Sequence, residues 1–296
     1  MVQKVEDQMN NLVEEINFPR ATSLFSTLSG GKRLRAKLVL KIATEHKDAP
    51  LLGAVIELIH AASLLHDDVI DDAELRRGVA SVNATEDSKT AIMLGDILYS
   101  KAFTTLTKFD AKVAHRVASA VTALSVGEMQ DVEMGKSFNS DESLYIEMIN
   151  NKTASLIEAS CASAALLMNK DETSYATYGK NLGLAFQIID DILDIVSDEK
   201  TLGKPALNDF VEGKCTLPYI YLYHDLEGDE REKLISFHAQ KLSAKDAGWI
   251  KEKMQKFNCV ERSYILARQL SDEALQSIEG DSALSAIIDT MMQREF

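Results

Sequence analysis

The chain has 296 residues, enough for two average domains or one large helical domain. Only 4 prolines and 14 glycines interrupt it, which favours a mostly α-helical protein. The formal net charge of −14 argues against nucleic acid as a partner, because a phosphate backbone needs a basic surface. Three widely spaced cysteines form neither a zinc-site spacing nor a disulfide framework, which is typical of a reducing cytoplasm.

In chain order, the periodicity predicts about ten to thirteen helices joined by short polar turns, in one all-α domain over residues 1–296. The clearest predicted helices are 3–16, 90–108, 110–135, 141–168 and 171–194, with helical hairpins over 216–296. A loop is predicted at 197–213, where the periodicity fails and Gly and Pro appear. The N-terminus is charged throughout, unlike a signal peptide, and no run of about 18 uncharged apolar residues predicts a membrane span.

An acidic motif ends the apolar helix pattern that begins near Pro50. Asp67 and Asp71 are four residues apart, so on a helix they lie on one face, and Asp68 is close to that face. Three like charges repel one another unless a cation lies between them. A cluster of oxygen ligands suits Mg2+ shared with a phosphate. The guanidinium groups of Arg76 and Arg77, which follow at once, match phosphate oxygens.

The same D-D-x-x-D pattern recurs about 120 residues later, again at the end of an apolar helix. Its acidic residues are Asp190, Asp191 and Asp194. A single copy would be weak evidence for a metal site, because acidic helix ends facing solvent are common. Two copies with basic residues nearby predict two carboxylate clusters that hold several Mg2+ ions around one diphosphate.

A glycine-hinged basic loop, Gly30-Gly-Lys-Arg-Leu-Arg35, leads into a helix that runs to about Glu45. It is either an ordinary helix start with solvated basic residues or a phosphate site, where backbone N–H groups and cationic side chains converge.

With these motifs in this order, the sequence resembles the trans-isoprenyl diphosphate synthases, the polyprenyl synthetase family. The resemblance extends from the basic loop to the segment after the second acidic motif, and the C-terminal part matches only as generic helices. It implies a single helical bundle around a deep apolar cavity. In the family, proline usually stands at the position of Ala36, a departure that concerns helix initiation more than charge.

The resemblance also implies roles for individual residues. Isopentenyl diphosphate would be held by Lys32, Arg35, His60 and Arg77, although a neutral core histidine is the alternative reading of His60. The allylic diphosphate would be held by Arg76, Lys152 and Thr153, with Gln187 close to the developing cation. Lys204 and Lys214 match two lysines of the family's loop after the second motif. The six motif aspartates, Asp67, Asp68, Asp71, Asp190, Asp191 and Asp194, would bind about three Mg2+ ions.

These residue types fit an ionisation and condensation reaction. Neutralising the diphosphate makes it a leaving group, and the remaining allylic carbocation needs a dry, apolar cavity. The double bond of isopentenyl diphosphate then attacks C1, and loss of a proton gives an all-trans chain five carbons longer.

Product length is predicted from the residues one turn before the first acidic motif. These are Ala62 and Ser63, and in the family small residues there accompany long products while aromatic residues accompany short ones. One extended isoprene unit spans about 5 Å, close to the helical pitch, so we expect products of about C30 to C45, centred on octaprenyl diphosphate for quinone side chains. The primer would be farnesyl or geranylgeranyl diphosphate. Small residues that merely allow close helix packing are the alternative.

Other functions stay open at this point. A short-chain synthase, making farnesyl or geranylgeranyl diphosphate, is the first alternative. A non-catalytic subunit of a heteromeric synthase would be expected to lose the aspartates or the basic loop, and this chain keeps both. A terpene cyclase usually has a different second motif, and a di-iron bundle needs paired Glu-x-x-His motifs, of which only Glu57-Leu-Ile-His60 is present. Family members are usually homodimers, and we expect a cytoplasmic homodimer.

Overall fold

The computed structural model describes residues 1–28, 30–76, 78–196, 207–278 and 281–292. It confirms the all-α class: the described residues form sixteen α-helices, one π-helical turn and one two-stranded hairpin. The count exceeds the predicted ten to thirteen partly because two of the helices have only four residues each.

The first helices are α1 (Val2–Glu14), α2 (Pro19–Thr27), α3 (Leu34–Ile42) and α4 (Ala49–Ile70), followed by strands β1 (Leu75–Arg76) and β2 (Val79–Ala80). Next come α5 (Val82–Thr85), α6 (Ser88–Leu106), α7 (Ala111–Met134), α8 (Glu142–Ile149), the π turn (Asn150–Ala154), α9 (Ser155–Leu167) and α10 (Glu172–Val196). The last are α11 (Asn208–Val211), α12 (Leu217–Asp225), α13 (Gly228–Ser236), α14 (Ala244–Lys256), α15 (Cys259–Ser277) and α16 (Ser282–Met292).

Contacts between residues divide the chain into two compact units. That the two units form one domain stays a prediction. The first unit comprises Met1–Thr122 and Leu156–Gly179, and the second comprises Ala123–Ser155 and Lys180–Phe296.

The first unit is built around α4, which packs against α6, α3 and α1. Its side chains are buried on nearly all sides from Leu52 to Ile59, as expected for a helix that is apolar all round. By length and composition α4 could also cross a membrane, contrary to the expectation that no segment could. In the 18-residue stretch of α4 that is apolar enough, 67% of the residues are buried inside the protein. Length and composition are therefore weak evidence for a membrane-spanning helix.

The second unit has an apolar core around α12, which packs against α14 and α15. Phe210 and Tyr219 stack there with ring centroids 4.2 Å apart. The three cysteines, Cys161 in the first unit and Cys215 and Cys259 in the second, are buried free thiols.

Helix starts follow the local sequence. Asp141 accepts the N–H groups of Ser143 and Leu144 and so caps α8. The predicted helix 141–168 is wrong in one respect, because the π turn separates α8 from α9. The hairpin at residues 75–80 was also not predicted.

Candidate active site

The first acidic motif lies at the C-terminal end of α4. The N–H of Asp71 donates to the carbonyl of Asp67 over 2.8 Å, so these two residues are one helical turn apart. Asp71 is exposed and Asp67 half-buried, whereas Asp68 is only 5% exposed. The predicted placement of Asp67 and Asp71 on one helix face is therefore confirmed.

Arg76, at the end of β1, holds the buried Asp68. Its Nε donates to Asp68 Oδ1 over 2.7 Å and its Nη2 lies 2.5 Å from the same oxygen. The short hairpin brings this arginine back to the helix end. Of the two arginines predicted to bind diphosphate here, Arg77 lies outside the described residues.

The donor set at this helix end suits a magnesium ion that takes further ligands from a phosphate. Asp67 and Asp71 offer carboxylate oxygens one turn apart, and Mg2+ commonly takes one or two carboxylates together with phosphate oxygens and water. Among the described residues, no three or more His, Cys, Asp or Glu side chains converge as a complete ligand set, so the remaining ligands would come from phosphate and water.

The basic loop enters α3 through Arg33, whose backbone is left-handed (φ 52°). The buried Glu57 of α4 lies beneath this helix start: its Oε1 accepts the N–H of Ala36 over 3.0 Å, and its Oε2 is 3.4 Å from Arg33 Nη1. The N–H of Ala36 is one of the donors that a helix start leaves without an intrahelical partner, and Ala36 is fully buried. Glu57 thus fixes the segment that carries the exposed Lys32 and the half-buried Arg35.

Replacing Glu57 by Ala should lower the free energy of unfolding by about 2 kcal/mol, because a buried N–H and a guanidinium lose their acceptor. Urea unfolding followed by circular dichroism measures this. Glu57→Gln is the matched control, since its amide oxygen can still accept the N–H of Ala36. Its free energy of unfolding should fall by only about half as much as that of the alanine variant. Equal stability of the alanine variant and the wild type would contradict this role.

The two predicted chain-length positions lie within α4 and are buried. Ala62 is fully buried and Ser63 is 4% exposed, with its hydroxyl donating to the carbonyl of His60 over 2.9 Å. His60 itself is half-buried. The effect of Ala62 and Ser63 on product length stays a prediction.

In the second unit, Lys152 is held by two acidic side chains that the sequence did not indicate. Its Nζ lies 2.5 Å from Asp131 Oδ2 and 2.8 Å from Glu128 Oε2, both on α7. Burial alone would lower the pKa of Lys152, but the charges of Asp131 and Glu128 outweigh it and raise the pKa above its usual value. Lys152 therefore stays charged at any physiological pH.

The π turn that carries Lys152 and Thr153 lies between two glycines. A Cβ on Gly127 of α7 would be 2.2 Å from the backbone N of Lys152, and one on Gly183 of α10 would be 2.5 Å from Cα of Ala154. Both contacts are with backbone atoms, so nothing flexible can move aside. These glycines allow the close approach that sets the position of Lys152 and Thr153.

Replacing Gly127 by Ala should destabilise the protein by about 3 kcal/mol, the upper end for an overpacked core. The control is Gly248→Ala in α14, where no atom lies within 4 Å and the substitution should stabilise the helix by about 1 kcal/mol. Unfolding midpoints in urea compare the two. If Gly127→Ala were as stable as Gly248→Ala, α7 could move away from the π turn.

The second acidic motif ends α10, and its aspartates differ in exposure. Asp190 is half-buried, whereas Asp191 and Asp194 are 4% and 2% exposed. The N–H of Asp209 donates to Asp194 Oδ2 over 3.1 Å, which ties the motif to α11. The Nζ of Lys214 lies 3.1 Å from Glu212 Oε2. The other predicted lysine of this region, Lys204, lies outside the described residues.

Asp191 connects two of the predicted site residues. Its Oδ1 accepts the amide of Gln187 over 2.8 Å, and Gln187 Oε1 accepts the hydroxyl of Thr153 over 2.8 Å. Its Oδ2 accepts the hydroxyl of the buried Tyr145 over 2.6 Å. Burial and the charge of Asp209 raise the pKa of Asp191. The structure therefore brings Thr153, Gln187 and Asp191 together, and adds Tyr145.

The comparisons with known proteins agree with the motifs. The family model described as polyprenyl synthetase matches residues 20–254. A crystal structure of octaprenyl pyrophosphate synthase from Helicobacter pylori has a TM-score of 0.94 and 42% identity, covering 99% of this chain and 98% of that one. A short chain isoprenyl diphosphate synthase from Methanothermobacter thermautotrophicus is 32% identical, covering 99% of this chain and 95% of its own.

A third relative contains a metal ion and a substrate-like molecule. The crystal structure of a polyprenyl synthase from Caulobacter crescentus, complexed with calcium and isoprenyl diphosphate, has a TM-score of 0.85 and 28% identity, covering 99% of this chain and 94% of that one. The chain thus shares its fold and nearly its whole length with these enzymes, and it belongs to the polyprenyl synthetase family as a prenyltransferase, a trans-isoprenyl diphosphate synthase.

Proposed function

We propose that the chain is a Mg2+-dependent synthase that extends farnesyl or geranylgeranyl diphosphate with successive isopentenyl diphosphates to an all-trans product of about C30 to C45, centred on octaprenyl diphosphate. The observation that carries the long-chain assignment is the 42% identity to the Helicobacter pylori octaprenyl pyrophosphate synthase over nearly the whole chain. The small, buried Ala62 and Ser63 before the first acidic motif agree with it.

The basic loop and its neighbours would bind isopentenyl diphosphate. Lys32 is exposed and Arg35 half-buried at the start of α3, where helix N–H groups also favour an anion. His60 and Arg77 complete the proposed set. These contacts would orient the double bond of isopentenyl diphosphate toward C1 of the allylic substrate, which converts a bimolecular encounter into a positioned reaction.

The acidic motifs, with Arg76, Lys152, Lys204 and Lys214, would hold the allylic diphosphate. Magnesium, about three ions per site, would neutralise the leaving group when bound. Asp67, Asp71 and Asp190 are the more accessible motif aspartates and are proposed as direct ligands, while the buried Asp68 and Asp194 support them. The calcium and isoprenyl diphosphate of the Caulobacter crescentus structure support a divalent ion in this role.

Ionisation leaves positive charge on the allylic group, and oxygen atoms of Thr153 and Gln187 are proposed to stabilise it. Lys152 would act as a fixed charge, because its two carboxylate partners keep it protonated and in place. After C–C bond formation, the proton would leave with the released diphosphate, so no side-chain nucleophile is required. We further propose a cytoplasmic homodimer that supplies quinone side chains.

A short-chain product is the second candidate, because the Methanothermobacter thermautotrophicus relative is a short chain synthase at 32% identity. The test is incubation of the purified protein alone with farnesyl diphosphate, labelled isopentenyl diphosphate and Mg2+, followed by chromatography of the dephosphorylated products against size standards. We expect products of about C30 to C45, and none when EDTA removes the metal. Products no longer than C20 would support the short-chain candidate, no elongation would support a non-catalytic subunit, and cyclic hydrocarbons would support a cyclase.

A further inference from the structure

A run of hydrogen bonds in the second unit links four side chains in a fixed order. Tyr145 Oη donates to Asp191 Oδ2 over 2.6 Å, and Gln187 Nε2 donates to Asp191 Oδ1 over 2.8 Å. Thr153 Oγ1 donates to Gln187 Oε1 over 2.8 Å. Tyr145 belongs to α8 and Thr153 to the π turn that directly follows it, while Gln187 and Asp191 are one turn apart on α10. The hydrogen bonds therefore connect Tyr145 of α8, through Asp191 and Gln187 of α10, to Thr153 of the π turn.

The direction of each bond follows from donor and acceptor chemistry. Asp191 accepts a hydrogen bond on each oxygen, Gln187 turns its NH2 toward Asp191, and its carbonyl oxygen therefore faces Thr153. A threonine hydroxyl has one hydrogen, and Thr153 donates it to that carbonyl. Toward any third group, the hydroxyl oxygen of Thr153 and the amide oxygen of Gln187 can then only accept.

Tyr145 is the residue that fixes the carboxylate. It is 1% exposed, and its hydroxyl donates to the Asp191 oxygen that Gln187 does not use. A buried carboxylate needs such donors, since desolvation without them is costly. With the tyrosine hydroxyl removed, Asp191 could rotate, and the amide of Gln187 would lose the acceptor that fixes its orientation and could turn its NH2 toward Thr153.

We propose that Tyr145 is a positioning residue that acts through Asp191 to hold the oxygens of Gln187 and Thr153 as acceptors, the polarity that stabilises an allylic cation. This proposal rests on the proposed function, because it assigns the cation as the group those oxygens serve. It also gives Asp191, which accepts a side-chain hydrogen bond on each oxygen, a role other than the predicted one of metal ligand.

The test compares two fully buried tyrosines of the same unit. Tyr145→Phe removes a hydroxyl that donates to Asp191, whereas Tyr219→Phe removes one that has no hydrogen-bond partner among the described residues. We expect Tyr145→Phe to lower kcat for elongation of farnesyl diphosphate by at least about tenfold, as loss of a hydrogen bond to a charged group would. The KM for isopentenyl diphosphate and the half-saturating Mg2+ concentration should stay within about twofold of wild type, and Tyr219→Phe should match wild type throughout.

A double-mutant cycle separates positioning from a general loss of structure. In a Gln187→Ala background, Tyr145→Phe should lower kcat by less than about twofold, because the amide whose orientation it controls is gone. Asp191→Ala provides a second variant if Tyr145→Phe does not fold: it removes the acceptor that orients the NH2 of Gln187, so kcat should again fall with KM unchanged.

Several results would overturn the proposal. One is a kcat of Tyr145→Phe equal to that of Tyr219→Phe, and another is an undiminished effect in the Gln187→Ala background. A rise of tenfold or more in the half-saturating Mg2+ concentration for Asp191→Ala would return Asp191 to the role of metal ligand. A wild-type protein without elongation activity would overturn both the proposed function and this inference, whereas an active wild type with unaffected variants would overturn the inference alone.

Discussion

Replacing Asp190 by Asn is expected to lower kcat for elongation by about 1,000-fold, and Asp67→Asn should do the same. Each substitution keeps the shape of the side chain and removes one negative charge, so the proposed site loses a metal-binding oxygen while the fold is retained. The half-saturating Mg2+ concentration should rise in both variants. Steady-state rates measured over a range of Mg2+ concentrations test both effects.

Asp72→Asn is the matched control. It removes the same charge at an exposed position next to Asp71, where the backbone is left-handed (φ 48°) and asparagine is well tolerated. Its rate should stay within about twofold of wild type. If Asp190→Asn or Asp67→Asn were no worse than this control, the acidic motifs would not hold the metal.

Replacing Ala62 by Phe is expected to shorten the product from about C40 to about C15, because a ring one turn before Asp67 would stop the growing chain after a few isoprene units. Ala62 is fully buried on α4, so the ring must occupy interior space, and overpacking should cost about 1–3 kcal/mol of stability. Chromatography of the dephosphorylated products gives the chain length directly.

Ser63→Ala controls for the loss of local interactions without added volume. It removes the hydroxyl that donates to the carbonyl of His60 and should leave the product length unchanged. A folded and active Ala62→Phe variant with wild-type product length would refute the proposed path of the chain past α4.

The main helices could be predicted because their causes are local. The apolar run of α4, with Pro50 in its first turn, and the cap of α8 by Asp141 are written in consecutive residues. The π turn could not be predicted: its sequence, Asn150-Asn-Lys-Thr-Ala154, has no glycine or proline to mark a change of helix type. The glycines that shape it, Gly127 and Gly183, lie on other helices.

The same distinction between local and distant causes explains which residues of the candidate site could be predicted. The acidic motifs were visible because four-residue spacing is a local pattern. The sequence did not indicate the supporting roles of Glu57, Glu128, Asp131 and Tyr145. Their partners are 21 to 46 residues away in sequence, and a single sequence has no signal for such pairs. Supporting residues of this kind emerge only when helices are placed side by side.

The buried cysteines offer a way to follow how the protein opens. Burial raises the pKa of the Cys215 and Cys259 thiols to about 12 and also raises that of Cys161, so almost no thiolate is present at neutral pH. Alkylation then requires that the surrounding segment first opens to solvent. Because Cys161 belongs to the first unit and the other two to the second, the order in which the thiols become labelled in dilute denaturant would report which unit unfolds first.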